Sequence, residues 1–353
     1  MPKVAIRPGV YGGGGRVALL ADGGLNPLGL RLIHRNPADR LIVRRQRVGA
    51  EIVKTDKGGI LLDTPDGDLS LYVDRIRRHY PTFPVRSVRR LEAGQNNDLL
   101  VLNDAWVFRF PHHRLGAVNL QNEAGILRSL QGRLPLQIPQ PEYVYVDSNT
   151  PSQSFMGYAQ ISGIPLTKAW VDALPFEDCR TLLGQLEDFL CSLHRQTVAS
   201  EFSAALPTLD CKDYWAGVFE RIQRLLFDKM RPDARTWTAH HFEVFLQNTE
   251  SIERVLIHGD FGGSNILIDG NTKRAVAIID FDSIAFGDPA IDYAALSTIH
   301  PQAMKCIEQR HPQVADYTDR IAFYRGTFAL QEALYGAEAN DQRALWAGLQ
   351  GFV

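Results

Sequence analysis

The chain of 353 residues is 45% hydrophobic and 22% charged, which fits an ordinary soluble globular protein with a core large enough for two or three domains. No run of about 18 apolar residues occurs, no secretory h-region occurs, and the four cysteines (Cys179, Cys191, Cys211, Cys306) lack metal-ligand spacing; free thiols in a reducing cytoplasm are expected, and no membrane partner. The net charge of −2 is unevenly spread, with 14 Lys+Arg against 8 Asp+Glu in residues 1–80 and 24 against 32 in the rest, which argues against nucleic acid as a partner.

Residues 1–68 hold 12 of the 29 glycines and many arginines. Gly12–Gly15 is not a phosphate-binding loop, because no Gly-Lys-Ser/Thr follows it. Short apolar runs over 42–62 and the turn at Thr64-Pro65-Asp66-Gly67 permit a small β-rich module. A flexible basic arm, and translated sequence upstream of the real start, are the other two readings of this extension.

From Leu69 the pattern changes. Leu71, Tyr72, Val73 and Ile76 predict a short amphipathic helix stopped before Pro81. Val85–Leu91 predicts a strand, Glu92–Asp98 a loop around Gly94, and Leu99–Leu102 the returning strand. Asn103-Asp104 predicts a turn, and Trp106–Pro111 a strand ended by its proline. On that strand Arg109 projects opposite to Phe108 and Phe110, either into solvent or toward a ligand. Asn119–Leu130 has helical spacing, with Leu120, Ala124, Leu127 and Leu130 on one side and Glu123 as its acidic member. An extended connection over 134–141 then leads to strands at Tyr143–Val146 and Ser154–Ile161.

The remainder reads as mainly helical. Phe176–Arg195 places Leu182, Leu186, Phe189, Leu190 and Leu193 on one face, and His194 near its end reads as structural. Asp213–Met230 repeats the pattern, and residues 236–256 continue as helix into a strand. Then comes the most informative stretch, residues 255–282. Val255-Leu256-Ile257 leads into His258-Gly259-Asp260, and a loop containing Gly262 and Gly263 reaches Asn265. Ile266–Ile268 and Ala275–Ile279 read as an antiparallel hairpin about residues 272–273, with Asp269-Gly270-Asn271 as turn chemistry and Asp280 at the end of the return strand. That pairing sets Asn265 opposite Asp280, and Asp260 is five residues from Asn265 across a glycine bend. Two carboxylates and an amide oxygen thus converge, and hard oxygen ligands suit Mg²⁺ beside phosphate.

HGDFGGSN followed by IIDFD resembles the aminoglycoside phosphotransferase family, relatives of protein kinases with an H-R-D-x₄-N loop. The resemblance covers the chain from Leu69 onward. It implies an α+β, bilobal kinase-like fold, with a mixed nucleotide-binding lobe over 69–158 and a mainly helical lobe over 159–353. It implies transfer of the γ-phosphoryl of ATP or GTP to a small-molecule hydroxyl. In that scheme Asp260 orients or deprotonates the acceptor, and Asn265 and Asp280 hold Mg²⁺. Arg109, in the place of a kinase lysine, steadies the phosphates, Glu123 steadies Arg109, and a loop carrying Gly94 and Asn96 covers the nucleotide. The run from LPLQIPQP through FMGYAQISGIPLT looks most like the branch that phosphorylates the 2″-hydroxyl of aminoglycosides.

The acidic body suits a cationic acceptor. Asp282, Asp213, Glu332 and Glu338 are the acids expected near it, each with a solvated-surface alternative. Asp288 before Pro289 is expected to cap a helix with the proline at its first position, and Asp292 to brace the catalytic loop or the helix start. A monomer or weak dimer is expected. The alternatives are a kinase for another alcohol (a macrolide, choline, homoserine or a sugar) and a nucleotide-binding pseudoenzyme, which Arg109 leaves open. The lack of an A-P-E segment and of a long activation loop weighs against a protein kinase.

Overall fold

The computed structural model describes residues 69–91, 97–111, 114–147, 150–197, 206, 211–248, 252–300 and 303–353. The extension at 1–68 and the loop residues Gly94 and Asn96 lie outside the described residues. The first helix, α1 (Ser70–His79), has the apolar face the sequence predicts, with Val73 and Ile76 buried. Three strands follow: β1 (Val88–Arg90), β2 (Asn97–Leu102) and β3 (Trp106–Pro111). The first is shorter than the expected 85–91. The Asn103 side chain accepts the Arg86 and Ser87 N–H groups instead, which takes them out of the strand ladder. Asn103 and Asp104 both have left-handed φ, as a tight hairpin turn requires.

Helix α2 (Arg114–Leu130) leads to β4 (Pro141–Tyr145) and β5 (Phe155–Ala159), which complete an antiparallel sheet of order β1-β2-β3-β5-β4. Period-two alternation divides its faces. Phe108, Phe110 and Phe155 form one buried cluster with Leu69, Val73, Ile76 and Phe83 from the α1 side. Met156 and Tyr158 face the opposite way and pack with Leu120, Ala124 and Leu127 of α2. The sheet is therefore covered on both sides, which is why both helices carry an apolar stripe.

The chain crosses to the second lobe after β5 through β6 (Ile164–Pro165), which pairs with β8 (Ile266–Asp269) of the hairpin that follows Asn265. Helices α3 (Lys168–Asp172), α4 (Phe176–His194), α5 (Cys211–Leu226) and α6 (Pro232–Gln247) follow. The last begins at a proline and stops at Gln247, so the expected continuous helix from 236 into the strand is broken before β7 (Val255–Ile257). Proline fits the first helical turn, where its missing N–H has no partner to lose. The hairpin closes with β9 (Arg274–Ile278), and β10 (Ala285–Gly287) returns to pair with β7. Helices α7 (Ala290–Leu296), α8 (Ala303–Arg310), α9 (Thr318–Glu338) and α10 (Gln342–Leu349) finish the lobe. The bilobal α+β architecture expected from the sequence is the one observed. Among the described residues no helix is long and apolar enough to cross a membrane, and Cys179, Cys191 and Cys306 are free thiols.

The two lobes also meet at the connection after α2. Gln137 donates its N–H to Val276 O (3.1 Å) and accepts from Ile278 N (2.9 Å), a parallel bridge onto β9. The segment leaving α2 is thereby tied to the hairpin that ends at Asp280.

Candidate active site

The hairpin register sets Asn265 across from Ile279, one residue short of the expected pairing with Asp280, and the ladder shifts between Leu267 and Ile268. Ile266 pairs with Ile278, and Ile279 N donates to Asn265 O at 2.9 Å, so Asn265 and Asp280 lie at the same end. Asn265 Nδ2 donates both to Asp260 Oδ2 and to Asp260 O, each at 2.9 Å. This donation fixes the amide orientation and aims Asn265 Oδ1 away from Asp260. Two glycines make the loop possible. Gly259 has φ of 81°, and a side chain at Gly263 would put its Cβ 2.7 Å from Leu166 O. Asp280 itself has a left-handed φ of 65°, a conformation costly for a non-glycine residue and concentrated at functional sites.

Asp260 is half-buried. Burial first, then the charge of Asp280, pushes its carboxyl up to about 8, with the Asn265 amide pulling it back. Asp282 adds to the rise, and its charge also acts on Arg109 and Glu123, which places it at the same cleft.

From the other lobe, β3 presents Arg109 on the face away from Phe108 and Phe110, and α2 presents Glu123 to it. Arg109 Nη1 lies 2.6 Å from Glu123 Oε1, and both side chains are buried. Arg109 Nη2 lies 3.4 Å from Asp280 Oδ1, so the guanidinium spans both lobes. Burial opposes its charge, but Glu123 first, then Asp280 and Asp282, outweigh burial and hold it protonated. Burial raises the Glu123 carboxyl even against the pull of Arg109, and Glu123 Oε2 is buried without a hydrogen-bond partner. The 2.6 Å contact is therefore made by a guanidinium held charged by its whole surroundings, with Asp280 on its other side.

Two groups not singled out as site residues in the sequence complete the constellation. His258 is fully buried, and burial lowers its pKa against the pull of Asp292. Its Nδ1 accepts Asp260 N–H (3.2 Å), so the proton of the neutral ring sits on Nε2 and is donated to Ile279 O (3.2 Å). One imidazole therefore links the backbone of Asp260 to the residue before Asp280. Tyr158, on β5, is buried beside Arg109 and Glu123 and kept neutral by burial. A strand tyrosine in an apolar run gave no signal of this.

The expected brace is present: Asp292 accepts His258 N–H and Gly259 N–H, each at 2.9 Å. Asp288 accepts Ala290 N–H at 2.9 Å, but Pro289 takes the N-cap position rather than the first helical one. The outer acids are more dispersed. Asp213 is exposed on the first turn of α5, and Glu332 is half-buried on α9, its carboxyl raised by burial and then Asp341. Glu338 is engaged by Arg221 Nη1 at 3.1 Å, so its charge is already matched. Among the described residues no group of three His, Cys, Asp or Glu side chains forms a metal site.

The pattern of the phosphotransferase enzyme family matches residues 87–330. The chain belongs to that family. Viomycin phosphotransferase of Streptomyces vinaceus is 28% identical over 260 residues, covering 72% of this chain and 88% of that protein. Hygromycin-B 4-O-kinase of Escherichia coli is 32% identical over 102 residues, 27% of this chain and 29% of that one. Among solved structures, the GDP and kanamycin complex of the phosphotransferase APH(2″)-IIIa superposes with a TM-score of 0.73 at 25% identity, covering 79% of this chain and 96% of that one. Macrolide 2′-phosphotransferase type I shares the fold, with a TM-score of 0.64 at 18% identity over 83% of this chain and 99% of that one. The family resemblance read from residues 258–282 therefore holds, and structures of 2″-type enzymes are among its neighbours.

Proposed function

We propose that this phosphotransferase moves the γ-phosphoryl group of ATP or GTP onto a hydroxyl of an antibiotic, an aminoglycoside or a related cationic compound. The observation that carries the reading is the joint placement of Asp260, Asn265 and Asp280 with the interlobe ion pair of Arg109 and Glu123. Phosphoryl transfer depends on positioning and charge stabilisation, and these five side chains supply both. A pseudoenzyme would not need them together.

Asp260 is the acceptor-side group. Its raised pKa suits a base working near neutral pH, and its bond to Asn265 fixes the carboxylate for the incoming hydroxyl. Arg109 meets phosphate oxygens with a charged fork while Glu123 holds its other edge. Asn265 Oδ1 and the half-exposed Asp280 carboxylate fit Mg²⁺, because both are hard oxygen donors and the amide is already turned to offer its oxygen. When bound, Mg²⁺ neutralises charge on the β- and γ-phosphates.

The test is a panel of kanamycin, viomycin, hygromycin B and a macrolide, each with ATP and with GTP, read by mass spectrometry. Gain of one phosphoryl group by a panel antibiotic is expected. Failure of every acceptor with both nucleotides would overturn the assignment. Asp260→Asn is expected to lower turnover by about 10²–10⁴-fold while nucleotide affinity is kept. Undiminished turnover in D260N would remove Asp260 from the chemistry.

A further inference from the structure

His194 closes α4, the long core helix, and its imidazole reaches across to a residue 98 positions later. Its Nε2 lies 3.0 Å from Asp292 Oδ2, and the histidine side chain is only 10% exposed. Asp292 is fully buried on α7. Its carboxylate has three donors around it: Gly259 N–H on Oδ1, and His258 N–H together with His194 on Oδ2. The two backbone donors belong to the residues immediately before Asp260.

We propose that His194 is a positioning residue for phosphoryl transfer, acting through Asp292 on the main chain that carries Asp260. The reasoning is geometric. A carboxylate plane turns about one soft torsion, and two amide donors from adjacent residues do not fix that plane independently of the loop they belong to. His194 comes from a different element, α4, whose apolar face is locked in the core through Leu186, Phe189, Leu190 and Leu193. It supplies the fixed point from outside the loop. The imidazole is itself held edge-on against Tyr293, with ring centroids 5.6 Å apart and planes at 77°. Gly259 needs this support, because its left-handed φ turns the chain sharply just before Asp260. A buried carboxylate that loses one donor reorients toward the remaining ones, and the loop follows it.

The proposal rests on the phosphotransferase reading, and it makes a separable prediction. Arg109 and Glu123 belong to the other lobe, and no described hydrogen bond or ion pair ties His194 directly to them, to Asn265 or to Asp280. Loss of its donor is therefore a defect of turnover, not of nucleotide binding.

The experiment compares His194→Phe, which keeps a ring and removes the N–H, with His194→Gln, which restores an N–H donor at similar reach. In H194F the kcat for antibiotic phosphorylation is expected to fall by about 10–100-fold with the nucleotide KM unchanged, since misplacement by about 1 Å costs this much. H194Q is expected to recover most of the loss. Amide hydrogen exchange over residues 255–262 supplies a readout independent of any acceptor. Faster exchange at His258 and Gly259 in H194F, corrected in H194Q, is expected. Wild-type kcat, wild-type exchange, or parallel loss of nucleotide binding and melting temperature in both variants would overturn the proposal. If H194F does not fold, His194→Leu takes its place in the same comparison. A wild-type enzyme inactive on every acceptor would count against the phosphotransferase reading, while the exchange measurement would still decide the role of His194.

Discussion

Arg109 touches two carboxylates of different character: Glu123 is buried with it, and Asp280 stands half-exposed at the cleft. The first contact lies within one lobe and the second reaches across to the other, and a stability measurement isolates the first. Arg109→Met leaves Glu123 buried without its counter-charge, which typically costs about 3–5 kcal/mol. Adding Glu123→Leu removes the stranded acid, and an apolar replacement of a whole buried pair is often close to neutral in stability. Urea unfolding is therefore expected to show R109M strongly destabilised and R109M/E123L largely restored, while both variants lose nucleotide affinity. A double variant as unstable as the single one would place the stabilisation elsewhere than in the pair. The notion that arginine in place of lysine marks a pseudoenzyme loses ground here. The guanidinium is charged, bonded to the α2 glutamate and within reach of Asp280, which fits the phosphate contact proposed above.

Helix α7 shows what an element needs before it can hold a site. Its N-terminal Asp288 is fully buried and takes Arg320 Nε at 2.8 Å, Tyr324 Oη at 2.8 Å and Ala290 N at 2.9 Å. Both side-chain donors come from α9, so the long helix fixes the start of α7, and α7 carries Asp292 under the catalytic loop. Tyr324→Phe removes one hydrogen bond to a buried carboxylate, worth about 1.5–3 kcal/mol. Its unfolding free energy is expected to drop by that amount, read as a lower denaturation midpoint at an unchanged m-value. A neutral result would mean that Arg320 and the Ala290 N–H satisfy Asp288 without Tyr324. These partners also mark where sequence reading stopped. Asp260, Asn265 and Asp280 were legible because a glycine loop and a tight hairpin fix their spacing locally. Arg109 and Glu123 were legible as faces of a strand and a helix, given the family pattern. The side-chain donors to Asp288, the His194 contact to Asp292 and the Arg221 partner of Glu338 join positions 32 to 117 residues apart. No local periodicity encodes such pairings, because tertiary packing alone decides them. The break between α6 and β7 was missed for a related reason, since apolar residues on both sides of it continue into one core.

At the scale of the whole molecule, the boundary of the nucleotide lobe is set by burial rather than by the family match, which begins at residue 87. Leu69, Val73, Ile76 and Phe83 lie before that point, and all four are buried against Phe108, Phe110 and Phe155. The same segment stacks His79 on Tyr145 at 3.4 Å between ring centroids, and bonds Tyr80 Oη to both Val144 N and Val144 O at 2.9 Å. Burying four such apolar side chains contributes on the order of 6–12 kcal/mol at about 1.5–3 kcal/mol each. The whole stability of a domain is commonly about 5–15 kcal/mol. Removal of α1 is therefore expected to unfold the lobe that holds Arg109. We propose 69–158 as the nucleotide lobe and 1–68 as dispensable for catalysis. A chain beginning at Asp68 is expected to keep the cooperative unfolding transition and the turnover of the full chain. A chain beginning at Arg86, one residue before the family match, is expected to lose both. Loss of activity in the longer truncation product, with its unfolding transition intact, would show that residues 1–67 contribute to the site; survival of the shorter one would show that the face of the sheet covered by α1 can stand open to water.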